Sequence, residues 1–323
     1  MNEVMATTSA LSSRDRRDHL LARLGHRRME HRVMPGLYRL GNPDRSSPVF
    51  VSANYTLSFD ALRSALQDVD AYILVLDTKG INVWCAAGKG TFGTDELVDR
   101  IEATSLVEHV DHRRLILPQL GAPGVSAHEV KARTGFSVEY GPVRAAALPE
   151  YLSAGATEEM RRVTFPLRDR AVLIPVELRN VAFEIVAAFA VLFILGGLVP
   201  AMIALTAVLA GAALFPILLP VLPTNDFTSK GMLLGAAVSV PFALYYLTTG
   251  AGWTRIVYAT GTVLLMVAVV GYLALNFTGC STYASRTGVK GEIFRYIPTL
   301  AAMAVMGLAT IVVSVAGSIL GWF

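Results

Sequence analysis

The chain has 323 residues, of which 53% are hydrophobic and only 16% are charged, and its mean hydropathy is +0.50. This composition lies outside the range of ordinary soluble domains, so part of the chain is predicted to lie in a membrane. The formal net charge of +3 is small, which argues against a nucleic-acid partner. Two distant cysteines, Cys85 and Cys280, exclude a disulfide framework or a zinc-binding spacing and favour a reducing cytoplasm.

Residues 1–32 are predicted to form a basic N-terminal arm that is solvated and could face lipid. The segments 12–19 and 25–32 are rich in arginine. Charges at these positions exclude a secretory signal, whose centre must be apolar. The arm is therefore expected to stay on the side of the membrane where the chain is made.

Residues 33–165 are predicted to form a small Rossmann-like α/β domain with a parallel sheet. Short, continuously apolar strands indicate burial on both faces. The predicted strands are 48–53, 71–77, 114–118 and 136–140. The predicted helices are 56–67, 94–101 and 126–133, each opened by a Ser or Thr able to cap it. Ligands of such sheets bind beyond the carboxyl ends of the strands, which here are residues 54–56, 78–82, 119–124 and 141–144.

The glycine-rich stretch after Cys85 matches no nucleotide-binding motif well. The Walker spacing is absent, and Gly88, Gly90 and Gly93 spell GxGxxG without following a clear strand. Cys85 itself has three interpretations: a buried small hydrophobe, a nucleophile, or a soft metal ligand. No histidine lies in this segment to act as a base, whereas small neighbours would let the backbone approach a large flat cofactor.

Residues 166–180 are predicted to be a linker, and residues 181–323 an all-α transmembrane domain of about five helices. The uncharged run 185–222 would measure ~57 Å as one helix, too long for a single crossing of a ~30 Å hydrocarbon core. It is therefore interpreted as a hairpin that turns at residues 196–200, where Pro200 would interrupt a continuing helix. The predicted spans lie near 182–199, 202–222, 231–250, 256–276 and 298–319.

Charge in the last loop predicts the orientation of these spans. Arg286, Lys290 and Arg295 lie between the last two spans, so this loop and the N-terminal domain are expected on the cytoplasmic side of a cell inner membrane. Apart from Glu184 at the membrane edge, the predicted spans contain no ionisable residue except tyrosine and cysteine. A transporter is disfavoured, because ion pathways need buried charge.

Several segments together resemble one family. They are NVWCAAGK at 82–89, NYTLSFD at 54–60, LPQLGAPG at 117–124, GPVRA at 141–145 and NFTGCSTY at 276–283. The chain resembles the membrane-bound corrinoid protein of microbial mercury methylation. The soluble domain of that family is similar to the corrinoid-binding domain of the large subunit of the corrinoid iron–sulfur protein.

The resemblance implies a cobalamin-type corrinoid cofactor with Cys85 as catalytic residue and cobalt ligand. Trp84 is expected either to pack on the ring or to fill the core, and Lys89 either to reach a polar group of the cofactor or to stay exposed. Cys280 is interpreted as a relay for Hg(II) or as a packed cysteine. The residues expected to bind the cofactor are Asn54, Thr56, Asn82, Val83, Trp84, Ala86, Ala87, Gly88, Lys89, Gly90, Gln119, Gly121, Ala122, Gly124, Gly141 and Pro142.

The same resemblance implies an enzyme, a corrinoid-dependent methyltransferase that passes a methyl group from methyl-cobalt corrinoid to inorganic Hg(II). The alternative is a corrinoid methyl carrier of one-carbon metabolism that serves another acceptor. A third interpretation, a membrane scaffold without cofactor, conflicts with the intact segment around Cys85. The expected partners are a dicluster ferredoxin-like electron donor, a methyl-donor methyltransferase, Hg(II) and membrane lipid.

Overall fold

The chain divides into two units, Met1–Val163 and Thr164–Phe323. The computed structural model describes residues 4–250, 252–281 and 286–319. The boundary falls close to the end of the predicted α/β domain at residue 165.

The first unit is built on a six-stranded sheet. Its strands are β1 (Met5–Thr7), β2 (Gly36–Leu40), β3 (Val49–Ala53), β4 (Ala71–Leu76), β5 (Arg114–Leu117) and β6 (Ser137–Tyr140). The strand order is β1-β2-β4-β3-β5-β6, and β4, β3, β5 and β6 run parallel to one another. All four predicted strands are present with bounds within two residues of those expected.

The prediction of a parallel sheet is wrong for the two strands β1 and β2, which extend the sheet beyond β4. Strand β2 runs antiparallel to β4, with Leu37 opposite Leu74, and β1 runs parallel to β2. Neither strand was predicted. The segment Gly36–Leu40 is five residues long and contains the exposed Arg39, so it lacks the long apolar run that identified the other strands.

Helices cover both faces of the sheet in the first unit. They are α1 (Ser13–Arg23), α2 (Thr56–Ala65), α3 (Val83–Lys89), α4 (Thr94–Ala103), α5 (Leu106–His109), α6 (Ala127–Thr134), α7 (Leu148–Ala154) and α8 (Glu158–Arg161). Side chains of β4 alternate between two cores, with Leu74 and Leu76 in one and Ile73 and Val75 in the other. This alternation explains why the strand is apolar at every position.

The predicted hydroxyl caps are not formed. Tyr55 and Gly93 occupy the cap positions of α2 and α4, and Ser126 precedes α6 without a side-chain cap bond. The hydroxyl of Thr94 instead accepts a hydrogen bond from the backbone N–H of Ser126, at 2.9 Å. Thr94 is thus the first residue of α4, and its hydroxyl joins the start of α4 to the residue before α6 instead of capping its own helix.

The N-terminal residues belong to the α/β unit and do not form a separate solvated arm. Arg63 on α2 is buried and donates to Asp60 at 2.6 Å and to Asp15 of α1 at 2.9 Å. It also donates to the carbonyl of Thr8, and His19 of α1 contacts Asp60 at 2.7 Å. These contacts attach the basic segment to the domain, because a buried guanidinium requires its partners.

The second unit is helical. Its helices are α9 (Leu167–Ala171), α10 (Ile174–Asn180), α11 (Ala182–Gly196), α12 (Leu198–Leu209), α13 (Phe215–Leu218), α14 (Phe227–Thr249), α15 (Thr254–Phe277) and α16 (Arg286–Ile319). Residues Ala210–Leu214 form a π-helical stretch that joins α12 to α13.

Among the described residues of this unit, four helices are long and apolar enough to cross a membrane. They are Leu198–Leu218, Phe227–Thr249, Thr254–Phe277 and Thr287–Gly317. A bent pair, Leu167–Asn180 and Ala182–Gly196, makes an angle of 56° and could count as a fifth. The expected linker 166–180 is thus helical and forms the first half of this pair.

The break after α11 lies at glycine rather than proline. Gly197 adopts φ +80° between α11 and α12, a conformation that glycine reaches without strain. Pro200 lies in the first turn of α12, where a missing backbone donor costs little. The break therefore lies within the predicted turn at residues 196–200, although Gly197 rather than Pro200 forms it.

Small residues set the spacing of α14, α15 and α16. A Cβ added to Gly231 or Gly235 of α14 would lie under 3 Å from atoms of α15, and one added to Gly261 under 3 Å from Thr310 of α16. Close helix contact through glycine is typical of packing in membranes.

Candidate functional site at the carboxyl edge of the sheet

Asn54 organises the turn that follows β4. The side chain of Asn54 is 1% exposed. Its Oδ1 accepts from the backbone N–H groups of Thr78 (3.1 Å) and Gly80 (3.0 Å), and its Nδ2 donates to Asp77 at 3.1 Å. The turn needs this support because Lys79 and Gly80 both have positive φ. Asn54 therefore holds the loop that leads to Cys85, and its contact with a cofactor stays a prediction.

Cys85 lies near the start of the short helix α3. Asn82 caps this helix, since its side-chain oxygen accepts from the backbone N–H of Cys85 at 2.9 Å. Gly90 ends the helix with φ +82°. The thiol is free and half-buried, whereas Ala86 and Ala87 on the inner face are buried. The segment around Cys85, for which no element was predicted, is therefore a capped helix with the cysteine at its surface.

The remaining residues of α3 divide between the surface and the core. Val83 packs against the core of the unit, and Trp84 is half-buried. Gly88 and Lys89 are exposed. Both of the interpretations given for Trp84 stay open, while Lys89 is free to meet a ligand.

The glycines of the site have different roles. A Cβ added to Gly121 would lie 2.5 Å from the Phe92 ring, and one added to Gly124 would lie 2.1 Å from the Phe92 carbonyl oxygen. These two glycines therefore make room for the protein's own chain. No other described residue comes within 4 Å of a Cβ added to Gly88 or Gly90. Gly88 has no positive φ, so neither packing nor backbone conformation requires glycine there.

Two buried polar atoms near Cys85 have no hydrogen-bond partner among the described residues. They are Oγ1 of Thr91, directly after α3, and Oε1 of Gln119, directly after β5. Gln119 begins a short 3₁₀ turn, Gln119–Gly121, that contacts α3, and Ala122 follows it half-buried. Thr91 was not predicted as a site residue. Its position directly after Gly90, close to Cys85 in the sequence, could have indicated it.

Gly141 and Pro142 directly follow the carboxyl end of β6, and both are buried. The backbone N–H of Gly141 donates to the carbonyl of Leu117 at 2.8 Å, and a Cβ there would lie 3.2 Å from Ile116. Gly141 therefore packs against β5, and the contact of both residues with a cofactor stays a prediction.

The segment 26–33 lies along the edge formed by β3 and β4. The backbone N–H of Thr56 donates to the carbonyl of His31 at 3.0 Å, and that of Val33 donates to the carbonyl of Asn54 at 2.9 Å. The carbonyl of Met29 lies 3.1 Å from the position of a Cβ on Gly80. Part of the predicted basic arm is thus a wall of the candidate site.

His31 fixes this wall to α1. It is buried, with Nδ1 2.7 Å from Asp18 Oδ1 and Nε2 2.6 Å from the carbonyl of His26. Burial disfavours the charged ring, but the contacts with His26 and Asp18 outweigh it and raise the pKa of His31. Burial also raises the pKa of Tyr55, which lies close enough to Cys85 to be affected by its charge.

Cys280 belongs to the other unit. It ends the short 3₁₀ turn Thr278–Cys280, and the structure describes nothing of its side chain. Residues 282–285 of the predicted cytoplasmic loop also lie outside the described residues. The predicted relay role of Cys280 stays a prediction.

Comparison with known proteins assigns relatives to the segment that contains this site. Residues 26–152 match a family model described as CO dehydrogenase/acetyl-CoA synthase delta subunit. The match begins at the wall segment, contains α3 and Cys85, and ends before the helical unit.

Individual relatives match a similar length of this chain. The acetyl-CoA decarbonylase/synthase complex subunit gamma of Methanopyrus kandleri is 37% identical over 122 residues, which are 37% of this chain and 26% of the relative. That of Methanothermobacter thermautotrophicus is 35% identical over 128 residues, 39% of this chain and 28% of the relative. The corrinoid/iron-sulfur protein large subunit of Moorella thermoacetica is 27% identical over 149 residues, 43% of this chain and 33% of the relative.

The chain thus spans only about a quarter to a third of the length of these relatives. The similarity includes every predicted site residue except Cys280, because all the others lie between residues 54 and 142. The α/β unit of this chain is therefore similar, over residues 26–152, to subunits of acetyl-CoA decarbonylase/synthase and, more distantly, to a corrinoid/iron-sulfur protein.

Proposed function

We propose that the α/β unit binds a corrinoid at the carboxyl edge of its sheet and that the chain carries methyl groups in one-carbon metabolism. One observation carries the proposal: the half-buried thiol of Cys85 lies on a capped helix at this edge, within the segment shared with the relatives. The names of those relatives concern acetyl-CoA decarbonylase/synthase and a corrinoid/iron-sulfur protein.

The residues present fit a corrinoid in two respects. Gly88 and Gly90 leave open space beside α3, where a flat ring system could approach the backbone. Thr91 Oγ1 and Gln119 Oε1 lack partners among the described residues, and the amide groups around a corrin could donate hydrogen bonds to them. A buried acceptor without a partner costs free energy, so a ligand that supplies donors gains affinity there.

Cys85 would hold the cobalt, because a thiolate is a soft and strongly donating ligand. When bound, the corrinoid supplies a cobalt-bound methyl group for transfer. Asn82 orients the helix that presents the thiol, and Asn54 with the wall segment fixes the preceding turn. A low-potential electron donor of the ferredoxin type and a methyl-donor methyltransferase are the partners proposed for this cycle.

The second unit is proposed to anchor the chain in a membrane. Four of its helices have the necessary length and apolar composition. Lys290 and Arg295 at the start of α16 favour placing that end, together with the α/β unit, on the cytoplasmic side.

Inorganic Hg(II) is the second candidate for the methyl acceptor. The accessible Cys85 thiol within NVWCAAGK favours it, because Hg(II) is a soft ion that prefers sulfur ligands. The names of the relatives favour the methyl carrier over this finer interpretation.

The test is anaerobic purification of the full chain, incubation with cobalamin, and measurement of retained cobalt and of the visible spectrum. We expect about one cobalt per chain and a spectrum of thiolate ligation that Cys85→Ala abolishes. Val107→Ala, at an exposed position of α5, is the control and should behave as wild type. A folded wild-type chain that retains no cobalt would refute the proposal.

The acceptor is tested on the same preparation. The methylated wild-type chain is offered either Hg(II) or an acetyl-CoA synthase, and loss of the methyl group is followed by its spectrum. Methylmercury formation that needs Cys85 would favour the second candidate, whereas transfer only to the synthase would favour the methyl carrier.

A further inference from the structure

A cleft of about 320 Å³ opens at one end of the helical unit, a volume at the lower limit for ligand sites of ~300–1,000 Å³. One part of its lining is apolar and consists of Phe165, Leu219 and Phe227. The polar part consists of Arg170, Asn225 and Lys230. The cleft thus combines two cations with an aromatic and aliphatic surface.

Arg170 is buried, and only some of its N–H groups donate hydrogen bonds. Its Nε donates to the carbonyl of Phe165 at 3.1 Å, and its Nη1 donates to the carbonyls of Pro216 and Ile217, each at 2.7 Å. A guanidinium has five N–H groups, so the two on Nη2 are left. Within residues 4–250, 252–281 and 286–319 they have no hydrogen-bond partner.

Lys230 is also incompletely bonded. Its Nζ donates to the carbonyls of Leu219 and Leu222, and an ammonium group has a third N–H. These carbonyls follow the end of α13, so both cations lie at the negative end of a helix. Binding to these backbone carbonyls explains the hydrogen bonds that the two cations form. Two N–H groups of Arg170 and one of Lys230 remain for a ligand.

The neighbouring carboxylates do not neutralise these cations. Asp226 pairs with Arg295 at 3.1 Å and accepts from the hydroxyl of Tyr296 at 2.7 Å. Glu292 accepts from the backbone N–H groups of Phe227 and Thr228. Among the described residues, no carboxylate forms an ion pair with Arg170 or Lys230, so the cleft keeps its positive charge.

We propose that this cleft binds the phosphate group of an anionic phospholipid, with Arg170 and Lys230 donating to the phosphate oxygens. The apolar lining accommodates the start of the acyl chains. The inference rests on the proposal that the helical unit spans a membrane. It matches the expected orientation, because Arg295 pairs with Asp226 at this same end and basic clefts facing the cytoplasm attract anionic lipids.

The test uses the full chain in neutral detergent, titrated with phosphatidylglycerol or phosphatidylcholine while thermal unfolding is followed. Phosphatidylglycerol should raise the Tm at a much lower concentration than phosphatidylcholine. Lys230→Gln keeps an N–H donor for the helix carbonyls but removes the charge. We expect about a fivefold higher half-maximal concentration, equivalent to ~1 kcal/mol for one basic residue near anionic lipid.

Lys290→Gln is the matched control, because Lys290 is exposed on α16 and does not line the cleft. It should titrate as wild type. Arg170→Gln should weaken binding further; since Arg170 also holds three carbonyls, Lys230→Gln remains the decisive variant if this one does not fold. Equal midpoints for the two lipids, or equal losses in Lys230→Gln and Lys290→Gln, would overturn the proposal.

Two further measurements separate the sources of failure. Glycerol phosphate without acyl chains is added in place of lipid, and the same rise in Tm would assign the cleft to a free anion and refute the lipid. Flotation of the chain with phosphatidylcholine vesicles tests membrane insertion by itself. A chain that floats but shows no preference for phosphatidylglycerol would refute the cleft while leaving the membrane anchor intact.

Discussion

The side-chain oxygen of Asn82 accepts a hydrogen bond from the backbone N–H of Cys85 at 2.9 Å. Asn82 is exposed and has an extended backbone, so it caps α3 without being part of it. The position of the thiol therefore depends on a residue three positions earlier in the chain. Asn82 was predicted to contact the cofactor, and the structure assigns it a positioning role that the sequence pattern already permitted.

Asn82→Ala should loosen α3 without unfolding the unit. Loss of a cap costs about 1 kcal/mol, here mostly as fraying of a helix of seven residues. We expect the cobalt content after cobalamin incubation to fall several-fold while the global unfolding midpoint changes little. Asn82→Asp keeps a capping oxygen and should restore binding. Unchanged cobalt retention in the alanine variant would show that the cap does not matter.

Gly88→Ala should stabilise the protein and weaken corrinoid binding. Nothing described lies within 4 Å of the added Cβ, and alanine favours a helix over glycine by up to ~1 kcal/mol. The methyl group would occupy space proposed for the ring. The measurements are urea unfolding and cobalt retention. A gain in stability with full cobalt retention would place the ring elsewhere.

In contrast to Gly88→Ala, Gly124→Ala should destabilise the protein. Its added Cβ would lie 2.1 Å from the carbonyl oxygen of Phe92 and 3.0 Å from Cα of Ala87. Backbone must move to relieve these clashes, so we expect a loss of about 1–3 kcal/mol in unfolding free energy. Urea unfolding of the full chain measures it. A neutral effect would mean that the loop after β5 is easily displaced.

The stability of the α/β unit should fall as pH rises above about 6.5. The raised pKa of His31 means that folding favours its protonated form. The stabilisation is fully present below the unfolded pKa and is lost as pH rises through the higher folded pKa. Hydrogen exchange of β3 and β4 amides between pH 6 and 8, corrected for intrinsic rates, measures the trend.

His31→Gln should remove this pH dependence, whereas His128→Gln should keep it because His128 is exposed on α6. A pH slope that persists in His31→Gln would assign it to another group.

Arg63→Ala should destabilise the α/β unit by about 3–5 kcal/mol, because it leaves the buried carboxylate of Asp60 with His19 as its remaining partner and without the guanidinium charge. Arg45→Ala removes an exposed pair with Asp111 and should cost under about 1 kcal/mol. Thermal unfolding of the full chain compares them. Equal effects would show that the network around Arg63 contributes no more than a surface pair.

Burial on both faces made β3 and β4 predictable, because every residue of these strands is buried. Strand β5 has three buried apolar residues, and β6 is half-buried but was still recognised from its short apolar stretch. The same signal is absent from β1 and β2, which are three and five residues long and contain no long apolar run. Strand β2 pairs with β4, and β1 pairs with β2. Partners more than about 30 residues away along the sequence, as in the pair Tyr38 and Ile73, cannot be recognised from a local pattern.

The candidate site was predictable in its location and less so in its details. The carboxyl ends of β3, β4 and β5 do meet near Cys85, as parallel topology requires. The sequence could not distinguish glycines that face open space, such as Gly88, from Gly121 and Gly124, which face Phe92. In the sequence, Asp60 and Arg63 look like an exposed i, i+3 ion pair on a helix. In the structure both are buried, because α1 packs over them.

The π-helical stretch Ala210–Leu214 changes the direction in which the following side chains of the helix Leu198–Leu218 point. One extra residue per π turn rotates everything beyond it by about 100° relative to a continuous α-helix. That rotation brings Phe215 into contact with the rings of Phe227 and Phe277, at 6.2 and 5.9 Å between centroids. A helical wheel drawn through residues 198–218 would therefore assign its last turn to the wrong side, and deletion of Ala213 would turn Phe215 away from both rings.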